Sequence, residues 1–397
     1  MPAVTPPMFL FHVKQEHASR KSAMTTLFDP IHAGSLHLAN RIAMAPLTRN
    51  RSPEAIPNAM NARYYAQRAS AGLIITEGTA ISPQGQGYAD VPGLYGTDQL
   101  QGWKQVTQAV HERGGRIVTQ LWHVGRVSHH WLQPQEREPV GPSALRAEAK
   151  TYLIDPTTGK GGFIPTSQPR ALDAEELPDI VHSYATAARN AVEGAGFDGV
   201  EIHGANGYLL DQFLKDGANQ RRDDYGGAIP NRARLMLEVV RAVCDAVGSG
   251  RVGLRLSPVT PANGITDSHP QPLFDYLARH LAPLGLSYIH VIEGATGGPR
   301  TVEGHPFDYA AFKAAYRNAG GQGAWMVNNG YDRAMAIDAV ASGAADIVAF
   351  GKDYISNPDL AERLRSGAPL NAWDKTTFYG GTEPGYTDYP ALGVTAP

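Results

Sequence analysis

His203, Asn206 and Tyr208 stand within six residues of one another and carry two hydrogen-bond donors and a weak acid. An imidazole and an amide can both donate to one ligand oxygen, and a phenol holds a proton that a neighbouring carbon can take. Such a set polarises a carbonyl or nitro group and protonates the atom beside it. A lone histidine is more often a structural hydrogen-bonder. Asn206 and Tyr208 beside it shift the reading towards catalysis. The preceding run, Gly196 to Ile202, has the composition of a short buried strand, so the polar residues arrive where that strand ends. In a barrel of parallel strands, reacting side chains sit at the carboxyl ends.

The elements that position these residues follow from alternation. Strands are predicted over Arg41–Pro46, Gly72–Glu77, Arg116–Leu121, Gly199–His203, Val252–Leu256, Tyr288–Ile292, Trp325–Asn328 and Asp346–Phe350. Helices are predicted over Asn58–Ser70, Gln99–Arg113, Ala174–Glu193, Asn231–Val247, Leu273–Ala282, Tyr309–Asn318, Tyr331–Ser342 and Pro358–Arg365. Strict alternation predicts a parallel sheet with right-handed crossovers. The expected fold is α/β, a closed (β/α)8 barrel, with an open doubly wound sheet as the alternative. The barrel is favoured because no Gly-x-Gly-x-x-Gly motif follows the first strand, and because polar residues cluster at many strand ends. One connection is too long to be a simple turn: Ser128–Asp173, rich in Pro, Gly and charge, is an excursion after the third strand. Segments of this kind are usually functional lids. Within it, Thr151–Ile154 and Gly162–Thr166 are predicted to form a hairpin.

Other strand ends add to the inventory. The first delivers Pro46, Leu47 and Thr48, whose hydroxyl can bond a heteroaromatic carbonyl or cap a turn. The second ends in Glu77-Gly78-Thr79, where glycine permits close approach of backbone to a ligand. The third ends in Gln120-Leu121-Trp122-His123. Arg255, among apolar neighbours on the fifth, needs an anionic or carbonyl partner if it points inward. Asn328-Asn329-Gly330 and Phe350-Gly351-Lys352 close the seventh and eighth strands, where barrels often bind phosphate through backbone N–H groups.

Thirty-five basic and 38 acidic residues leave a net charge of -3, which calls for neither nucleic acid nor an anionic membrane. Cys244 is the sole cysteine, so no internal disulfide or cysteine metal cluster can form, and its helical setting reads as a buried inert thiol. No His-Glu-x-x-His spacing points to metal, and His129-His130 reads as a solvated loop pair. Residues 1–23 are expected to be a disordered extension, with 24–397 forming one barrel domain. No apolar run approaches the length of a membrane span, and a cytoplasmic protein is expected.

Taken together, the strings resemble the old yellow enzyme family of flavin-dependent ene-reductases, most of all the bacterial branch of N-ethylmaleimide and pentaerythritol tetranitrate reductases. The likeness runs from about Leu27 to Pro390. It rests on Leu27-Phe28-Asp29-Pro30, Asn40 to Arg49, Gln120 to His123, Gly207 to Leu214, Asp224-Tyr225-Gly226-Gly227 with Asn231-Arg232, and Phe378-Tyr379-Gly380-Gly381. The resemblance implies FMN held non-covalently at the carboxyl face and NADPH or NADH as hydride donor. It places Pro46, Leu47, Thr48, Gly78 and Gln120 around the isoalloxazine, with Arg255 at its N1–C2 edge. Asn329, Gly330, Gly351 and Lys352 would hold the phosphate. His203 and Asn206 would grip the substrate oxygen, Tyr208 would donate the proton, and Tyr88, Trp122 and Tyr379 would shape the pocket, with Thr296 at its border.

The implied partners are small electrophilic alkenes, reduced in a ping-pong cycle by a monomer or weak homo-oligomer. Reductive denitration by the same flavin is one alternative. A flavin-free lyase or isomerase using the phosphate site is another. Three departures stand out. Asn206 replaces the histidine common in close bacterial relatives, Lys352 replaces a usual arginine, and Thr48 rather than cysteine stands beside the flavin.

Overall fold

The computed structural model describes residues 1–3, 25–155 and 157–393. The extension expected over residues 1–23 therefore falls, apart from the first three residues, outside the described part. The eight predicted strands are all present: β1 Ile42–Met44, β2 Leu73–Ala80, β3 Ile117–Trp122, β4 Gly199–Gly204, β5 Val252–Leu256, β6 Tyr288–Ile292, β7 Ala324–Asn328 and β8 Ile347–Phe350. Each pairs in parallel with its neighbours, and β8 meets β1 to close the barrel. The fold is a (β/α)8 barrel.

The helices between them are α1 Ala59–Ala66, α2 Thr97–His111, α3 Leu177–Arg189, α4 Ile229–Val247, α5 Pro270–Leu281, α6 Tyr309–Asn318, α7 Arg333–Ala341 and α8 Leu360–Ser366. Their starts carry expected signals. Asp308 accepts from the Ala311 N–H at 2.8 Å, and Asp332 from the Met335 N–H at 2.8 Å, satisfying donors that a helix start leaves free. Asn58 and Asn61 form a reciprocal capping box on α1. Proline opens α3, α4 and α5, where its missing N–H has no consequence. Among the described residues no helix is long and apolar enough to cross a membrane.

Two apolar layers hold the barrel. The larger lies between strands and helices, and includes Val200, Ile202, Leu254, Met236 and Val240. The smaller fills the barrel interior with Ala43, Ala45, Leu73, Ile75, Val118, Tyr288, Met326 and Ala349. Burying one such Leu, Ile or Met side chain contributes about 1.5–3 kcal/mol. The interior is closed at the amino end by an antiparallel hairpin, Ile31–Ala33 with Leu36–Leu38, whose Ala33, Leu36 and Leu38 join the inner cluster. This hairpin was not among the predicted elements, although alternation around Gly34-Ser35 is its usual signal. Two short helices, Leu209–Leu214 and Lys352–Ser356, were also unforeseen.

The excursion between β3 and α3 contains the predicted hairpin, as Lys150–Ile154 paired antiparallel with Gly161–Pro165. It is fastened to the rim by the Ala89 N–H, which donates to the Tyr152 carbonyl at 2.8 Å.

Candidate active site

At the end of β4 the chain makes a tight turn that only particular residues tolerate. Asn206 (φ 60°) and Gly207 (φ 73°) both lie in the left-handed region, which asparagine and glycine reach at least cost. A Cβ on Gly207 would also stand 2.8 Å from the Ala262 carbonyl oxygen. The turn is anchored from several sides. The Asn206 N–H donates to Ser257 Oγ at 2.8 Å, and the Gly207 N–H to Asp211 Oδ2 at 2.9 Å. The buried Lys215 ammonium joins Asp211 (3.1 Å) to the Ser257 carbonyl (2.8 Å), so β4 and β5 share one scaffold.

This scaffold brings four of the predicted site residues together. The Tyr208 ring lies edge-on to His203 (centroids 5.0 Å apart) and to Trp122 (4.9 Å). Tyr88 stacks on Trp122 at 5.5 Å, and its hydroxyl meets that of Tyr208 at 3.2 Å. Burial, with the Arg255 and His290 charges opposing a further cation, holds the His203 imidazole well below its ordinary pKa. His203 is therefore neutral near pH 7, with a single N–H to give. Burial raises the Tyr208 phenol above its ordinary pKa, opposed by hydrogen bonds to Tyr88 and Asn263, so its proton is retained. Tyr379 is half-exposed on the C-terminal strap and packs edge-on to Phe163 of the excursion hairpin at 5.9 Å.

Below this cluster, polar side chains enter the barrel. Gln120 Nε2 donates to Glu201 Oε1 at 2.8 Å, and His290 Nδ1 meets Glu201 Oε2 at 2.8 Å. All three are buried. Among the described residues no carboxylate lies within ion-pair distance of Arg255. Its Nη2 donates to Asn328 Oδ1 at 2.9 Å, and the Asn328 amide is turned that way because its Nδ2 donates to the Ala349 carbonyl at 2.7 Å. Of the two partners that an inward Arg255 could take, the one it meets is thus a carbonyl oxygen rather than an anion.

The second strand required correction. β2 runs to Ala80 rather than ending at Glu77, and an extra residue shifts its register against β3 between Ile75 and Gly78. Such a bulge reverses the inward–outward alternation beyond it. Gly78 thus pairs with Gln120, while Glu77 turns to Tyr65 and the Arg49 N–H. What approaches Gly78 closely is Trp122: a Cβ there would lie 2.5 Å from the indole Cε3.

Pro46, Leu47 and Thr48 follow β1 at the rim and are each partly exposed. Among the described residues the Thr48 hydroxyl makes no hydrogen bond, so it does not cap a turn. The strap carrying Tyr379 is held over this corner by Arg49. Arg49 donates to the carbonyls of Phe378 at 2.8 Å and Gly385 at 2.7 Å. Arg51 reaches Thr382 and Thr377 in the same way.

At the ends of β7 and β8 the backbone N–H groups of Asn329, Gly330 and Gly351 meet no acceptor among the described residues. The Lys352 ammonium points across to the Gly297 carbonyl at 3.3 Å. The Asn329 side chain is occupied, donating to the Glu293 carbonyl at 2.7 Å and accepting from the Gly297 N–H at 3.0 Å. Its contribution to an anion site is thus through the backbone.

Sequence reasoning missed Glu201, Ser257 and Arg49 as parts of the site, and named Asn328 only in the turn that ends β7, not as the partner of Arg255. Glu201 alone carried a signal, as a carboxylate inside an otherwise apolar strand.

A closed barrel with a donor set, an acid and an unpaired N–H cradle at its carboxyl face has the makings of an enzyme barrel that binds a phosphate-bearing ligand. Residues 26–371 match the NADH:flavin oxidoreductase / NADH oxidase family. The chain belongs to this family, which is that of old yellow enzyme. It is 42% identical over 385 residues to 12-oxophytodienoate reductase 7 of Oryza sativa subsp. japonica, covering 94% of this chain and 96% of the relative. It is 45% identical over 375 residues to a chanoclavine-I aldehyde reductase of Penicillium roqueforti, covering 92% and 96%. Among solved structures, morphinone reductase superposes with a TM-score of 0.88 at 47% identity, covering 94% and 98%. The old yellow enzyme homologue from Zymomonas mobilis gives 0.87 at 41%, covering 93% and 100%.

The cofactor of this family is FMN, and the residues present suit it. Arg255 Nε, Trp122 Nε1 and His203 Nδ1 are buried with no hydrogen-bond partner among the described residues, a state that native interiors seldom leave unfilled. The unpaired N–H groups beside Lys352 match a phosphate.

Proposed function

We propose that this chain is an NAD(P)H-dependent alkene reductase acting by a ping-pong cycle on α,β-unsaturated carbonyl, imide or nitro compounds, with residues 24–397 as one FMN-binding domain. In this reading Pro46, Leu47, Thr48, Gly78, Gln120 and Arg255 surround the isoalloxazine, and Asn329, Gly330, Gly351 and Lys352 hold its phosphate. FMN held there would supply hydride-transfer chemistry between a nicotinamide and the β-carbon of the alkene. The guanidinium of Arg255 would offset negative charge on that ring.

The remaining work belongs to the β4 turn. His203 and Asn206 donate to the activating oxygen of the substrate, where negative charge grows, as an oxyanion hole does. Tyr208 protonates the α-carbon. Burial also holds the Tyr88 phenol well above its ordinary pKa, so both phenols of the 3.2 Å pair, either of which can donate, keep their protons. Trp122, Tyr88 and Tyr379 bound the space for the substrate. Nicotinamide and substrate occupy the same place in turn, which accounts for the missing Gly-x-Gly-x-x-Gly motif.

The observation that carries this reading is the turn at the end of β4, which sets the Tyr208 ring edge-on to His203 at 5.0 Å in a buried setting that keeps His203 neutral and Tyr208 protonated. The relatives support it: two are named as reductases of 12-oxophytodienoate and of chanoclavine-I aldehyde, and a morphinone reductase has been solved with tetrahydroNAD. The reading includes kinship with the bacterial N-ethylmaleimide reductase branch, a cytoplasmic setting, and a monomer or weak homo-oligomer.

Stopped-flow measurement of the two half-reactions in Tyr208→Phe tests it. Reoxidation by 2-cyclohexenone should slow about 100-fold or more, the usual weight of a positioned acid, while reduction by NADPH stays within about twofold. Equal losses in both half-reactions would remove Tyr208 from the proton-donor role.

A further inference from the structure

Asn206 can serve a substrate oxygen only if its amide is turned the right way, because one end donates and the other accepts. We infer that Thr296, with Thr260 behind it, fixes that orientation and is a positioning residue for substrate recognition. The inference rests on the donor role proposed above for Asn206.

The bonds form a one-way chain. Thr296 Oγ1 donates to Asn206 Oδ1 at 2.6 Å. Thr260 Oγ1 donates to Thr296 Oγ1 at 3.1 Å, and itself accepts the Thr296 N–H at 3.1 Å. Each hydroxyl has a single proton. With its oxygen already accepting from the Thr296 N–H, Thr260 spends its proton on Thr296, and Thr296 spends its own on the Asn206 carbonyl. The NH2 end of Asn206 is left over, and among the described residues no protein acceptor takes it.

In an inverted amide the NH2 would donate to Thr296 Oγ1, Thr296 would turn its proton to Thr260, and the buried Thr260 proton would lose the one acceptor it has among the described residues. The amide would also turn a carbonyl towards a substrate oxygen, acceptor against acceptor. The backbone of Asn206 offers no escape. Its N–H is held by Ser257 at 2.8 Å and its carbonyl by Asn263 Nδ2 at 2.9 Å, so only the side-chain torsions remain to be set. Thr260 is buried at 2%, whereas Thr296 lies on the exposed rim, in the loop between β6 and α6. The same loop reaches the phosphate side through Gly297, so it joins the two ends of the site.

The test is titration of the FMN-loaded protein with 4-hydroxybenzaldehyde, whose phenolate takes the place of the substrate oxygen, followed by flavin absorbance. Thr296→Val should raise the Kd about five- to tenfold, the weight of one hydrogen bond, and Thr296→Ser should restore it to within about twofold. In an Asn206→Ala background, Thr296→Val should add less than about twofold, because the two residues act as one unit. FMN retention, read by fluorescence, should be the same in wild type, Thr296→Val and Thr296→Ser. A loss in Asn206→Ala with none in Thr296→Val overturns the inference alone, as does an equal effect of Thr296→Val in both backgrounds. Unchanged binding in Asn206→Ala removes the donor role of Asn206 and the inference with it.

Discussion

Acid should weaken this protein through His123, the residue that follows Trp122 at the end of β3. Its ring is 1% exposed. The Gly125 N–H donates to Nδ1 at 3.1 Å, so the single ring proton resides on Nε2, which faces Gln84 Oε1 at 3.4 Å. A second proton would have to displace the Gly125 N–H inside a dry site. Burial accordingly lowers the pKa from 6.5 to about 3. The sign follows from linkage: the unfolded chain takes up a proton near 6.5 and the folded chain does not. Stability is full above that value and falls as pH drops through the window towards 3. At about pH 5 the unfolded form lies 1.5 units below its pKa while the folded form is still neutral, a loss of about 2 kcal/mol.

His123→Asn isolates the effect, because the Asn Oδ1 can still accept from Gly125 but does not titrate. Lost ring volume should lower stability by about 1–3 kcal/mol at every pH. Urea unfolding of the holoprotein, followed by tryptophan fluorescence at about pH 7.5 and about pH 5, gives the comparison. The decline between the two should be about 2 kcal/mol smaller in the variant, since His203, His290 and all other groups titrate alike in both proteins. Declines agreeing within about 0.5 kcal/mol would refute the reasoning. The consequence reaches the site, because the His123 carbonyl accepts the Leu209 N–H at 3.1 Å and so ties Trp122 to the segment that carries Tyr208.

Two further outcomes follow from packing. Gly78→Ala drives a Cβ into the Trp122 indole, 2.5 Å from Cε3, and should lower stability by about 1–3 kcal/mol with weaker FMN retention; unaltered melting and retention would disprove the contact. Arg49→Met leaves the Gly385 carbonyl without its donor and that of Phe378 with only the longer bond from Arg51 at 3.4 Å. Stability should fall by about 2–4 kcal/mol, and limited proteolysis should cut the strap around Tyr379 sooner; cleavage elsewhere first, at the wild-type rate, would count against this anchoring.

Much of the architecture is local and was therefore legible. Each βα unit announces itself by its own periodicity, and burial of one face decides whether it forms. The predicted ranges of β5, β6 and α6 coincide with those observed. His203, Asn206 and Tyr208 were readable because the turn that gathers them is a single stretch of chain. The bulge in β2 was not, since nothing in Thr76-Glu77-Gly78 alone says which residue will turn inward; pairing with β3 decides it. The same holds for the partners that complete the site. Glu201 meets Gln120 and His290 only when the barrel closes, Tyr88 meets Tyr208 across 120 residues, and Thr296 meets Asn206 across 90. The chain by itself determined which groups are carried and on which units. Closure of the barrel decided which way those groups point, because a hydrogen bond between distant residues leaves no periodic trace in the sequence and exists only once the strands set its length.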